Sequence, residues 1–112
     1  MSRRTEKVES LLQQTLGDML ERIDLPSMTT ISKVEVSPDL KHAKVWITVL
    51  EGESKEQQVL DFLANELYGL QGELNRKFTM RNVPRISFFV DHSEEYASHI
   101  NELLRKTKRE DE

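Results

Sequence analysis

Three groups of side chains in this sequence have types and spacings that invite a chemical reading. Asp91, His92 and Ser93 are the residue types of a hydrolase triad. Consecutive residues at a strand end cannot line up as nucleophile, base and orienting acid, so catalysis is set aside. Strand termination and helix capping account for Asp91 and Ser93 better. Glu95 and His99 are four apart and share one helix face. A metal site needs at least a third protein ligand. His92 precedes the Ser93 cap and leaves the helical phase; even on a continuous helix it would lie about 10 Å along the axis from His99. A surface Glu95–His99 pair is the better reading, and no metal is expected. The third group is Arg76, Lys77, Arg81 and Arg85, in a window from 76 to 85 with no Asp or Glu. Such cations neutralise phosphates and release counterions, and arginine also stacks on unpaired bases. The competing reading is a solvated charged face; the absence of acid favours nucleic acid. Asn75 and Asn82 are polar neighbours able to touch backbone or base edges.

Lys33 and Lys44 are expected on a helix-free sheet face with Trp46, Arg85 and Phe89. Cations interleaved with aromatics can form a stacking platform. The plainer reading, that a terminus or loop partly covers Trp46 and Phe89, is preferred. Arg3, Arg4 and Lys7 at one end, and Arg105, Lys106, Lys108 and Arg109 at the other, read as solubilising charge rather than as arms around RNA.

The 112 residues carry a net charge of −4 and no cysteine. The length implies one domain able to bury its own core. Without cysteine there is no disulfide, thiolate metal site or thiol nucleophile. No apolar run approaches the ~20 residues of a membrane span, and the N-terminal residues lack a signal-peptide core. The expectation is a cytoplasmic monomer with no membrane contact, cofactor or small-molecule substrate. Charge is unevenly spread. Glu51, Glu53, Glu56, Asp61 and Glu66 meet only Lys55, whereas the 76–85 window is wholly positive.

Positioning these groups requires six elements. Val8, Leu11, Leu12, Leu16, Met19, Leu20 and Ile23 follow helical spacing over 4–23. Val34 and Val36 alternate with Lys33, Glu35 and Ser37 in a first strand, 30–37; Ile31 is out of phase, which implies a bulge or a later start. A turn at Ser37-Pro38-Asp39-Leu40-Lys41 leads into a second strand, 42–50, with Ala43, Val45, Ile47 and Val49 on one face. Ser54 is the expected cap, with Gln57, of a helix from about Lys55. Phe62, Leu63, Leu67, Leu70 and Leu74 continue its apolar stripe. Gly69 and Gly72 each cost a helix roughly 1 kcal/mol relative to alanine, so a break is expected there, with a second segment to about Lys77. Gly69-Leu70-Gln71-Gly72 reads GxxG, but inside a helical pattern. Ile86, Phe88 and Val90 form the core face of a third strand, 85–91. A last helix spans about 94–106, and 107–112 is a charged tail.

This order, with Ser37-Pro38-Asp39-Leu40 leading through Ala43 into Val45-Trp46-Ile47, then Met80-Arg81-Asn82-Val83-Pro84 and Phe88-Phe89-Val90-Asp91-His92-Ser93, resembles the ribosome-binding factor A family over residues 4–104. The resemblance implies an α+β, KH-like domain of the second type over 1–106, in the order α-β-β-α(kinked)-β-α, with a three-stranded sheet and helices on one face. It implies a non-catalytic factor that binds the small ribosomal subunit and its rRNA and assists late rRNA maturation and processing, above all in the cold. The family carries Ala-x-Gly at the helix kink. Counted back from Pro84, that triplet falls on Glu66-Leu67-Tyr68, with the glycine one place later; the kink is therefore expected around Tyr68, Gly69 and Gly72. The candidate RNA-binding residues are Arg76, Lys77, Arg81, Arg85, Lys33 and Lys44. The alternative is a protein–protein module using the acidic helix 55–67 or the open sheet face.

Overall fold

A computed structural model describes residues 3–92. Five elements follow one another: α1 (Arg3–Glu21), β1 (Thr29–Val36), β2 (His42–Val49), α2 (Glu53–Lys77) and β3 (Arg85–Val90). The expected final helix, the Glu95–His99 pair and the charged tail lie outside the described residues.

β2 is the central strand. It pairs antiparallel with β1 and parallel with β3. The parallel pairing requires a long crossover, and α2 supplies it. The register shifts between Ile31 and Lys33, so Ser32 is the bulge that the out-of-phase Ile31 implied. The inward residues Val34, Val36, Ala43, Val45, Ile47, Val49 and Ile86 form one core with Val8, Leu12, Leu16, Met19 and Leu20 of α1 and Val59, Leu63, Leu70 and Leu74 of α2. The helices thus cover one sheet face. Phe88 and Val90 join this core but are only partly buried. Leu11, counted in the helical stripe, is 53% exposed and outside it.

Two expectations about α2 are corrected. Ser54 is not its cap. Gly52 takes that position, with φ of 81° and no side-chain cap bond. A left-handed residue lets the chain turn directly from β2 into the helix, and glycine does this without a Cβ penalty. The helix also does not break at Gly69 or Gly72; it runs unbroken for 25 residues. Burial of Leu63, Leu70 and Leu74 along one face outweighs the small glycine penalty. The GxxG sequence is therefore helix, not loop. Gln71 within it ties α2 to the sheet: its Oε1 accepts from Ile86 N at 2.9 Å, and its Nε2 donates to Pro84 O at 3.1 Å. On the opposite edge, Glu9 Oε2 of α1 accepts from Val36 N at 2.8 Å. Each sheet edge thus has a backbone N–H satisfied by a helix side chain.

Candidate nucleic-acid interface

The helix-free face of the sheet is built by alternation. With Val34, Val45 and Ile86 pointing inward, Lys33, Lys44, Trp46, Arg85 and Phe89 point the other way. Register places Lys33 opposite Trp46, and Trp46 opposite Phe89. The two rings lie 5.2 Å apart at 33°. Lys33 Nζ stands 5.1 Å from the Trp46 ring centre, and Lys44 Nζ 5.8 Å from that of Phe89. Phe89 is 39% exposed, Trp46 less so. The aromatics therefore form a half-open pair flanked by two ammonium groups. The indole Nε1 is buried without a hydrogen-bond partner.

The cations differ in how far they are already neutralised. Lys33 pairs with Glu35 at 3.2 Å. Lys77 lies 3.4 Å from Glu73, which Arg22 also approaches to 3.6 Å. These pairs are at least a third exposed and contribute little to stability, yet each lowers the local positive field. Among the described residues, Lys44, Arg76, Arg81 and Arg85 form no ion pair. Arg81 and Arg85 line different clefts. Arg76 and Lys77 occupy the last turn of α2, where cations also complement the helix dipole. Arg85 opens β3 and lines a groove with Tyr68, Gln71 and Asn75. Tyr68 is 93% exposed there. Arg81 and Asn82 line a separate cleft beside the β1–β2 turn.

That turn is tightly organised. Asp39 Oδ1 accepts from Ser37 Oγ at 2.6 Å and from Lys41 N at 3.1 Å. The Ser37 hydroxyl bond and then the Lys41 amide hold the Asp39 carboxyl below its ordinary pKa. Leu40 takes a positive φ of 61°.

Asp91 and His92 serve other ends. Asp91 Oδ2 accepts from Ser32 Oγ at 2.7 Å, fastening the bulge, and Asp91 N donates to Ile47 O. His92 Nε2 lies 2.9 Å from Glu56, which brings the end of β3 to the start of α2. No group of three or more metal-ligating side chains occurs among the described residues, and no helix there is long and apolar enough to cross a membrane.

The sequence model of the ribosome-binding factor A family matches residues 4–104. The chain belongs to the ribosome-binding factor A family. A ribosome-binding factor A from Chlorobium luteolum is 36% identical, over 99% of this chain and 97% of its own length. The crystal structure of ribosome-binding factor A from Thermus thermophilus superposes with a TM-score of 0.67 at 23% identity, covering 77% of this chain and 93% of that one. A homology model of the Thermus thermophilus factor, fitted into a cryo-EM map of a 30S complex, gives 0.65 at 23% identity over 77% and 93% of the two chains. At that identity the structures establish the α+β fold. Membership in a family of ribosome-binding factors comes from the sequence.

The sequence missed the role of Gln71. A glutamine between two glycines has no signature for bridging to a strand more than a dozen residues on. The Glu73–Lys77 pair has a sequence signal, a Glu four residues before a Lys within a helix, but Glu73 falls just outside the acid-free window.

Proposed function

We propose that this chain binds the small ribosomal subunit through its rRNA and, without catalysing a reaction, holds one RNA conformation during late maturation and processing. Family membership is the single observation that carries the reading. The 30S complex of the Thermus thermophilus factor supports the choice of subunit. The contact residues would be Arg76, Lys77, Arg81, Arg85, Lys33 and Lys44. The unpaired cations would contribute most, and Trp46 and Phe89 would offer ring surface to an unpaired base. A base stacked on an aromatic residue contributes roughly 1–3 kcal/mol. Because the whole chain is net negative, RNA would be attracted by local field rather than by total charge. The factor can favour a conformation only by as much as it binds that state more tightly.

Co-sedimentation with separated subunits across a salt series tests this. Small subunits should be bound, with an affinity that falls as salt rises, and large subunits should not. Replacing Lys44, Arg76 and Arg85 with Gln should reduce the slope of log affinity against log salt by about 2–3, at roughly 0.7–0.9 per phosphate contact. If Gln at Glu51, Glu53 and Glu56 abolishes binding while the basic substitutions leave it intact, the acidic part of α2 is the contact and the chain is a protein-binding module.

A further inference from the structure

Arg4, Lys41 and Arg81 are far apart in the chain and share no sequence pattern. The fold brings them to one cleft of about 330 Å³ at the turn end of the sheet. Arg4 comes from the first turn of α1, Lys41 from the β1–β2 turn, and Arg81 from the segment between α2 and β3. We infer that this cleft is a phosphate notch that holds a phosphodiester of the RNA backbone, carrying the contact around from the open sheet face. The inference rests on the RNA reading above and adds two residues, Arg4 and Lys41, to it.

The charge of the lining points to an anion. Among the described residues, none of the three cations forms an ion pair, whereas Arg22, Lys33 and Lys77 each do. Three like charges lining one cleft repel one another, and an anion between them relieves that repulsion. The acid in the cleft, Asp39, is held ionised by Ser37 Oγ and Lys41 N within its own turn and offsets Lys41 in part, which leaves the lining of Arg4, Lys41, Arg81 and Asp39 net positive.

The turn is also held rigid at this place. Lys41 is fixed through its amide by Asp39, and through its carbonyl, which accepts from Arg85 N at 2.9 Å. Leu40 between them keeps a left-handed backbone that residues other than glycine rarely adopt. Such strain persists where the surroundings enforce it, often at ligand-holding sites. Finally, the cleft meets the interface already described, since the Lys41–Arg85 bond joins it to the first residue of β3.

The lining suits backbone rather than base. Among the described residues no aromatic side chain lines the cleft, so a nucleobase finds no stacking partner among them. Two guanidinium groups can each grip a pair of phosphate oxygens, with the ammonium as a third point charge. Asn82 adds an amide donor.

The test compares the full chain with a variant carrying Arg4→Gln, Lys41→Gln and Arg81→Gln, bound to small subunits over a salt series. The slope of log affinity against log salt should fall by about 0.7–0.9, the share of one phosphate, with an unchanged urea midpoint. If the unmodified chain binds with a salt-dependent affinity and the variant matches its slope, the notch is overturned while the RNA reading stands. If the unmodified chain shows no salt-sensitive binding, the RNA reading fails and takes the notch with it. Should the variant unfold, the unmodified chain decides by amide NMR titration with a single-stranded RNA oligonucleotide and, separately, inorganic phosphate. Displacement of the Leu40, Lys41, Arg81 and Asn82 amides by the oligonucleotide, at concentrations where phosphate leaves them in place, supports the assignment. Displacement by phosphate alone, or no displacement, overturns it.

Discussion

Replacing Gln71 with alanine should destabilise the fold although alanine is the better helix former. The Gln71 amide satisfies two backbone groups of the β3 segment, Ile86 N and Pro84 O, at 2.9 and 3.1 Å. Both bonds are part-buried, so water can replace them only in part. A net hydrogen bond contributes roughly 0.5–1.5 kcal/mol, and leaving a buried partner unsatisfied costs roughly 1–3 kcal/mol. Two bonds at the lower end of these ranges give a loss of about 2 kcal/mol. Helix propensity runs the other way by only a few tenths of a kcal/mol. The loss should appear as a lower urea midpoint at constant slope, and as a fall of about 10 °C in Tm. Gln71→Met keeps the length of the side chain without its amide. It should lose nearly as much as alanine, which would assign the effect to hydrogen bonds rather than packing. An alanine variant with an unchanged midpoint would refute the reasoning, since β3 would then not need the tie to α2.

Gly69 and Gly72 sit inside an unbroken helix. A Cβ at Gly69 meets nothing within 4 Å, and at Gly72 only Arg76 Nη1 at 3.5 Å. Alanine at either site should therefore stabilise by up to about 1 kcal/mol; a lower urea midpoint would show that these glycines serve a bent form of α2. Phe88→Ala should cost about 2–3 kcal/mol, below the roughly 3–5 kcal/mol of a fully buried phenylalanine, and Ile47→Ala, at a fully enclosed site, should be at least as damaging. A neutral Phe88→Ala in urea unfolding would place that ring outside the core. Asp39 has its pKa lowered in the folded state by Ser37 and then by the Lys41 amide. Its contribution is complete above the unfolded carboxylate pKa of about 4 and fades as pH falls through the folded value. The urea midpoints of the natural chain and Asp39→Asn should accordingly differ at neutral pH and converge in acid; a constant gap would show that the turn does not depend on the carboxylate charge.

The strands were legible because their alternation is strict. Val34 and Val36, the Ala43-to-Val49 series and Ile86 all face the core, and the faulty phase of Ile31 announced the bulge at Ser32. The lysine–aromatic face followed from the same alternation. The middle of α2 was misread because propensity is a local quantity. Two glycines weaken a helix in isolation, whereas Leu63, Leu70 and Leu74 are held by a core that the local sequence does not reveal. The cap was misplaced for a related reason: Ser54 has the right chemistry, but the short passage from Val49 to α2 needed the positive φ of Gly52. Clefts were least legible. Arg4, Lys41 and Arg81 meet only after two helices and a hairpin are in place, and no local window contains more than one of them.

The mixed sheet also imposes an order of assembly. β1 and β2 are joined by a short turn and can pair within microseconds. β3 must wait until α2 has crossed the sheet, and such non-local pairing is slow. On this order Phe89 would reach Trp46, and Arg85 would reach Lys41, only in the last step. On a ribosome, where the N-terminal part emerges first, the newborn chain would display one ring of the Trp46–Phe89 pair and an open β2 edge, but no complete lysine–aromatic face. Such an edge invites pairing with other chains. Rapid docking of β3 would thus both complete the lysine–aromatic face and close the site of misassembly. Folding kinetics can examine this: truncations at Val34 and Val45 should slow folding, whereas Ile86→Val should mainly speed unfolding. A φ-value near one at Ile86 would mean that β3 docks before, not after, the hairpin is complete.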